Sequence, residues 1–95
     1  MKNKLVTKEI KQKQLIIRKL NIALKQMGRT LSPIEISNVS KIIFQKSDIF
    51  KIKKLSYYQN LVYDFCDSEN IYESLWNLGF ISQDEYKLYL QKEGV

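Results

Sequence analysis

The sequence predicts an all-α protein: one domain over residues 1–95, built as a small antiparallel bundle of four to five helices. Three observations carry that expectation. Apolar residues recur at three- and four-residue spacing along most of the chain, and strand-like alternation is scarce. Two segments, Leu31-Ser32-Pro33-Ile34-Glu35-Ile36 and Ile81-Ser82-Gln83-Asp84-Glu85-Tyr86, pair a Ser with a Glu three residues on, between two apolar residues. That is the pattern of a capping box with a hydrophobic staple. Gly28 and Gly79 stand where helices would stop, because glycine enters the left-handed conformation without a Cβ penalty.

The first helix is expected over residues 7–27, capped by Thr7 and closed by Gly28. The second, over 33–46, begins with the Ser32–Glu35 box, and Pro33 takes the first position, where its missing N–H is harmless. Ile36, Val39, Ile42 and Ile43 should face inward. Ser47-Asp48 breaks the pattern, and Ile49 to Lys54 reads equally as a short helical turn or an extended connector. Ser56 and Gln59 offer a further box for a helix over 56–67, with Tyr58, Leu61, Val62 and Phe65 on one face. The spacing Tyr58, Leu61, Phe65, Ser68, Tyr72, Leu75 keeps helical phase, so one helix from Ser56 to Leu78 stays open beside the preferred break at Asp67-Ser68-Glu69 and a fresh helix over 69–78. The last helix is expected over 83–92. Short links favour antiparallel neighbours.

Composition narrows the chemistry. The 95 residues include no His and one Cys, Cys66. The commonest general base is missing, and a lone thiol has no partner for a disulfide or a thiolate metal site. Carboxylate chemistry remains, but Glu69 and Glu73 stand one turn apart with no pocket in view to separate their pKa values, and Asp84 and Glu85 are explained by a helix N-terminus. Cys66, beside Phe65, reads as a small buried hydrophobe. The expectation is a non-enzyme without cofactor or metal. No apolar run approaches the roughly 20 residues of a membrane span, and Met1 to Gln14 is too polar for a secretory signal, which predicts a cytoplasmic protein.

The net charge of +6 conceals a division. Residues 1–55 carry fourteen basic and three acidic side chains, giving +11, whereas residues 56–95 carry two and seven, giving −5. At 100° per residue, Lys4, Lys8, Lys11, Arg18, Lys19, Lys25 and Arg29 share one face of the first helix. Ile10, Ile16, Ile17, Leu20, Leu24 and Met27 take the other. Leu15 and Ile22 fall within the basic arc, where solubility alone would not put them. A charge run is most often a solvated face, but Glu9 is the one acid before Glu35, so these cations lack local partners. The set Lys4, Lys8, Lys11, Leu15, Arg18, Lys19, Ile22, Lys25 and Arg29 is therefore the first candidate contact surface. An acidic protein suits it best, with the apolar pair as anchors inside an electrostatic rim. Nucleic acid would use the lysines as phosphate neutralisers, without sequence reading because Arg is scarce.

A helix-turn-helix over 33–58 is poorly supported, since the Ser47–Leu55 link is long and lacks a turn glycine, although Lys51, Lys53 and Lys54 could touch phosphates. Aromatic residues gather late in the chain, and helical spacing makes most of them core. Tyr57, Tyr63 and Trp76 lie off the main stripe, and with Glu69 and Glu73 they form a second candidate surface, suited to a basic protein or to the basic half of another copy. Leu75 to Tyr86 resembles a short helical hairpin of bacterial oligomerisation modules. Size, lysine richness and helix count are similar to those of bacteriocin immunity proteins, an analogy of fold alone that would imply a protective bundle. The resulting expectation is a non-catalytic protein that binds and regulates or inhibits a protein partner, with a phage or mobile-element setting hinted at by the Lys and Ile bias.

Overall fold

A computed structural model describes residues 4–92, with side chains from Lys8 onward. Its elements are α1 (Lys4–Gln26), α2 (Pro33–Lys46), α3 (Ile49–Lys53), α4 (Leu55–Cys66), α5 (Ile71–Asn77) and α6 (Gln83–Lys92), with no strand among the described residues. The all-α expectation holds, and a sixth helix appears because the ambiguous segment after Ser47 is helical. Asp48 makes it so: its carboxylate accepts from the Lys51 N–H at 3.0 Å and caps α3.

Both predicted Ser–Glu boxes form. Ser32 and Glu35 exchange hydrogen bonds at the start of α2, and Ser82 and Glu85 do so before α6. Gly28 and Gly79 adopt φ of +67° and +83°, as helix-closing glycines do. Other boundaries differ. Thr7 is no cap, since α1 already runs at Lys4. Ser56 and Gln59 form no box, because Lys54 both ends α3 and starts α4, which leaves Ser56 no extended backbone from which to cap. The break after Cys66 is real, but Asn70 caps α5 by accepting from the Glu73 N–H at 2.9 Å. Asp67 and Ser68 instead close α4, their N–H groups donating to Asp64 and Phe65 carbonyls.

Pair contacts fix the course of the chain. Lys13 of α1 lies over the Phe44 ring near the end of α2, so the two helices joined at residues 27–32 run antiparallel. Ser47 hydrogen-bonds Tyr57 at the start of α4, and Arg29 reaches Phe65 near its far end, so α4 runs back along α1. In the last hairpin Tyr72 stacks on Tyr89 and Trp76 on Tyr86, early against late, so α5 and α6 are also antiparallel.

The core draws Ile16, Leu20, Ala23 and Leu24 from α1, Val39, Ile42 and Ile43 from α2, and Ile52 from α3. Tyr58, Leu61, Val62 and Phe65 of α4 and Ile71, Tyr72 and Leu75 of α5 complete it, with Ile81 from the final link. Ile10, expected on the core face, is 51% exposed, because no residue from Lys8 to Gln14 is buried. No fully buried residue belongs to α6, which leans on its two ring stacks and on half-buried Leu90.

Polar groups inside this core are satisfied. The Tyr58 hydroxyl donates to the Ile52 carbonyl at 2.7 Å, and Ser74 donates to Ser68, which bonds the Asp64 carbonyl. Removing the Tyr58 hydroxyl leaves a buried carbonyl unpaired, so Tyr58→Phe should cost about 1–2 kcal/mol in urea unfolding with an unchanged m-value. Burial also pushes the Tyr58 phenol above its ordinary 10.0, with Tyr57 adding to the shift. A raised folded pKa means the contribution is complete below the ordinary 10.0 and lost as pH rises through the folded value, so the wild-type advantage over Tyr58→Phe should shrink in alkaline titration.

Candidate functional site

The geometry of α1 decides which of its cations can meet a partner. Burial of Ile16, Leu20, Ala23 and Leu24 turns the opposite azimuth outward, and Lys11, Arg18, Ile22 and Lys25 fall along it. All four are exposed, Ile22 at 41%. Lys8 is exposed on the flank and Lys19 is half-buried. The Lys4 side chain lies outside the described residues.

Two members of the predicted set do other work. Leu15 is not an anchor in the basic arc: it is half-buried and packs against the core, because neighbouring helices cover a wider part of α1 than Ile16 and Leu20 alone would imply. Arg29 lies past the end of α1 with its guanidinium 4.3 Å from the Phe65 ring centroid, so it also fastens the α1–α2 link onto α4. Among the described residues of α1, Ile10 is also exposed, but about 120° around the helix from Ile22; sequence reasoning assigned it to the core because it could not know where neighbouring helices end.

The second predicted surface is dispersed. Tyr57 is half-buried, bonded to Ser47 and in edge contact with Tyr58 and Phe80, at 5.8 and 5.7 Å between centroids. Tyr63 is free to engage a partner at 70% exposure, while Trp76 is 38% exposed with one face against Tyr86. Glu73 accepts from the Glu69 N–H, so its carboxylate braces the entry to α5. Cys66 is exposed, contrary to the buried reading, since α4 turns its other face to the core.

In the remaining pair, Asp84 and Glu85, the Glu85 carboxylate serves the capping box. The Ser82 backbone N–H on Glu85, aided by nearby Lys46, holds the Glu85 carboxyl below its usual range. Among the described residues no group of three or more His, Cys, Asp or Glu could hold a metal ion. None of the helices described is long and apolar enough to cross a membrane.

At the α2–α3 junction, Lys46, Lys51, Tyr57, Asn60, Leu78 and Phe80 line an open groove of about 390 Å³. Beside it Phe50 projects at 76% exposure, flanked by exposed Lys51, Lys53 and Lys54. Sequence reasoning noted these lysines and missed the ring. The signal was present: with Ile49 and Ile52 turned inward at three-residue spacing, position 50 of a helix must point out.

Two measurements check these assignments. Leu15→Ala should destabilise by about 1–2 kcal/mol, whereas Ile22→Ala should stay within about 0.5 kcal/mol, both read from urea midpoints. For Glu85, a lowered folded pKa means its capping contribution is complete above the ordinary 4.5 and lost as pH falls through the folded value. Trp76 emission, sensitive to the stack on Tyr86, should therefore change below pH 4.5, and Glu85→Gln, which keeps the box without titrating, should flatten that change.

Comparison with known protein families, with curated proteins and with solved structures finds no match to this chain, so the surfaces above carry the functional reading.

Proposed function

We propose that the protein is a non-catalytic binding module that engages an acidic partner protein through the outward stripe of α1, and so regulates or blocks that partner. One observation carries the reading: Lys11, Arg18 and Lys25 lie in line with exposed Ile22 on a face that the core does not use. An exposed branched apolar side chain inside a row of cations fits a protein interface, where an apolar centre is ringed by polar contacts. The cations raise the encounter rate and select partner sign, and the apolar anchor Ile22 supplies retention. One carboxylate of each candidate pair, Glu73 and Glu85, is occupied at a helix start, which supports a binding role. Accessory proteins of phages and mobile elements remain the natural setting on composition.

The test is affinity capture from cells of the source organism, with and without nuclease, using wild type and the triple variant Lys11→Glu, Arg18→Glu, Lys25→Glu. The expected result is a protein retained after nuclease treatment and lost with the variant. With the captured protein purified, reversal should weaken binding by about 3 kcal/mol or more, roughly 100-fold. Equal capture of the protein by the folded variant would overturn the reading, and nuclease-sensitive capture that is lost with the variant would replace the protein partner with nucleic acid.

A further inference from the structure

A second cationic surface is carried by α3 and stands apart from the α1 stripe. Asp48 sets the N-terminus of this five-residue helix, and Ile52 fixes its rotation by entering the core beneath the Tyr58 hydroxyl. With Ile52 inward, Phe50 points away from the protein at 76% exposure. Exposed Lys51, Lys53 and Lys54 surround it, and exposed Lys46 ends the preceding helix. The local acids are Asp48, whose carboxylate is bonded to the Lys51 N–H, and Glu85, which faces Lys46 while bonded to the Ser82 N–H. Four exposed lysines and one bare ring thus occupy one corner of the fold. From Lys51 and Lys46 the surface continues into the open groove walled by Tyr57, Phe80 and Leu78, with the Asn60 amide at its edge.

We infer that this corner binds single-stranded nucleic acid, with a base stacked on Phe50, phosphates on Lys46, Lys51, Lys53 and Lys54, and the adjoining nucleotide in the groove. The isolation of the ring selects this occupant. The α1 stripe offers a branched aliphatic anchor, whereas Phe50 offers an uncovered aromatic face, the surface on which a base stacks. A lipid surface needs a broad apolar face, yet Ile49 and Leu55 are half-buried and Ile52 is buried. A base needs one ring face, and the neighbouring phosphates need cations. Such stacking is tolerant of sequence, consistent with a lysine-only rim.

Fluorescence anisotropy of labelled dT12 with the full chain tests the site. Neutralising four phosphates gives a salt slope near about −2.8, so affinity should fall about 50-fold between 50 and 200 mM salt. Phe50→Ala should weaken binding roughly tenfold, and Lys53→Glu with Lys54→Glu by more. In a Trp76→Phe background, Phe50→Trp should keep binding, and its indole emission should be quenched by the strand, a response that charge attraction alone does not produce. The triple variant of the α1 stripe should bind dT12 normally, which separates this site from the protein-binding face. No binding at 50 mM salt would overturn the inference, as would full affinity in Phe50→Ala, unquenched emission from Phe50→Trp, or loss of binding in the α1 variant. A blue shift of that same indole emission on phosphatidylglycerol vesicles, without dT12 binding, would assign the corner to lipid instead.

Discussion

The packing of α1 against α2, α3 and α4 through Ile16, Leu20, Ala23 and Leu24 is the constraint on which the molecule depends. Burial of these side chains removes apolar surface from water on a single stripe, and that stripe sets the rotation of the helix. Its register is fixed at both ends. Lys13 covers Phe44 at one end, while Gln26 bonds Gln59 and Arg29 covers Phe65 at the other. The stretch from Lys8 to Gln14 therefore contributes no buried residue, and the line Lys11, Arg18, Ile22, Lys25 faces solvent. The same core orients α3, because Ile52 enters it and Tyr58 holds the Ile52 carbonyl.

Charge separation along the chain acquires a structural meaning. Four carboxylates are employed at helix starts: Glu35 at the Ser32 N–H, Asp48 at Lys51, Glu73 at Glu69 and Glu85 at Ser82. The first N–H groups of every helix have no intrahelical acceptor, so an acid there satisfies a donor and complements the helix dipole together. These four acids thus serve the fold, while the exposed lysine side chains of α1 and α3 reach into solvent. That division, more than the overall excess of +6, leaves the two cationic surfaces proposed above as binding sites.

The two places differ in what surrounds the charge. On α1 the cations run in line with a branched aliphatic side chain on a long straight helix, a geometry that another helix or a flat acidic surface can match. At α3 they surround one aromatic ring on a short rigid turn, beside a groove that can accept a second group. A lysine reports only the sign of its partner. The apolar group among the lysines reports the partner's shape, and the fold decides which apolar group that is.

The sequence alone determined what depends on bonds within four residues. The Ser32–Glu35 and Ser82–Glu85 boxes and the stops at Gly28 and Gly79 were legible, because each is enforced by neighbours along the chain. Helical phase kept from Tyr58 to Leu75 left the break before α5 open, and of the α2 stripe Val39, Ile42 and Ile43 are buried while Ile36 is half-buried. Tertiary structure decided the rest. Leu15, Ile10 and Cys66 exchanged expected environments because burial depends on how far neighbouring helices extend. Ser56 lost its cap because α3 ends where α4 begins, a collision invisible to the capping pattern. Tyr57 left the surface to bridge Ser47 and Phe80 from distant segments. Local hydrogen bonds write helices into sequence, whereas the face a helix leaves open is set by the partners that cover the others.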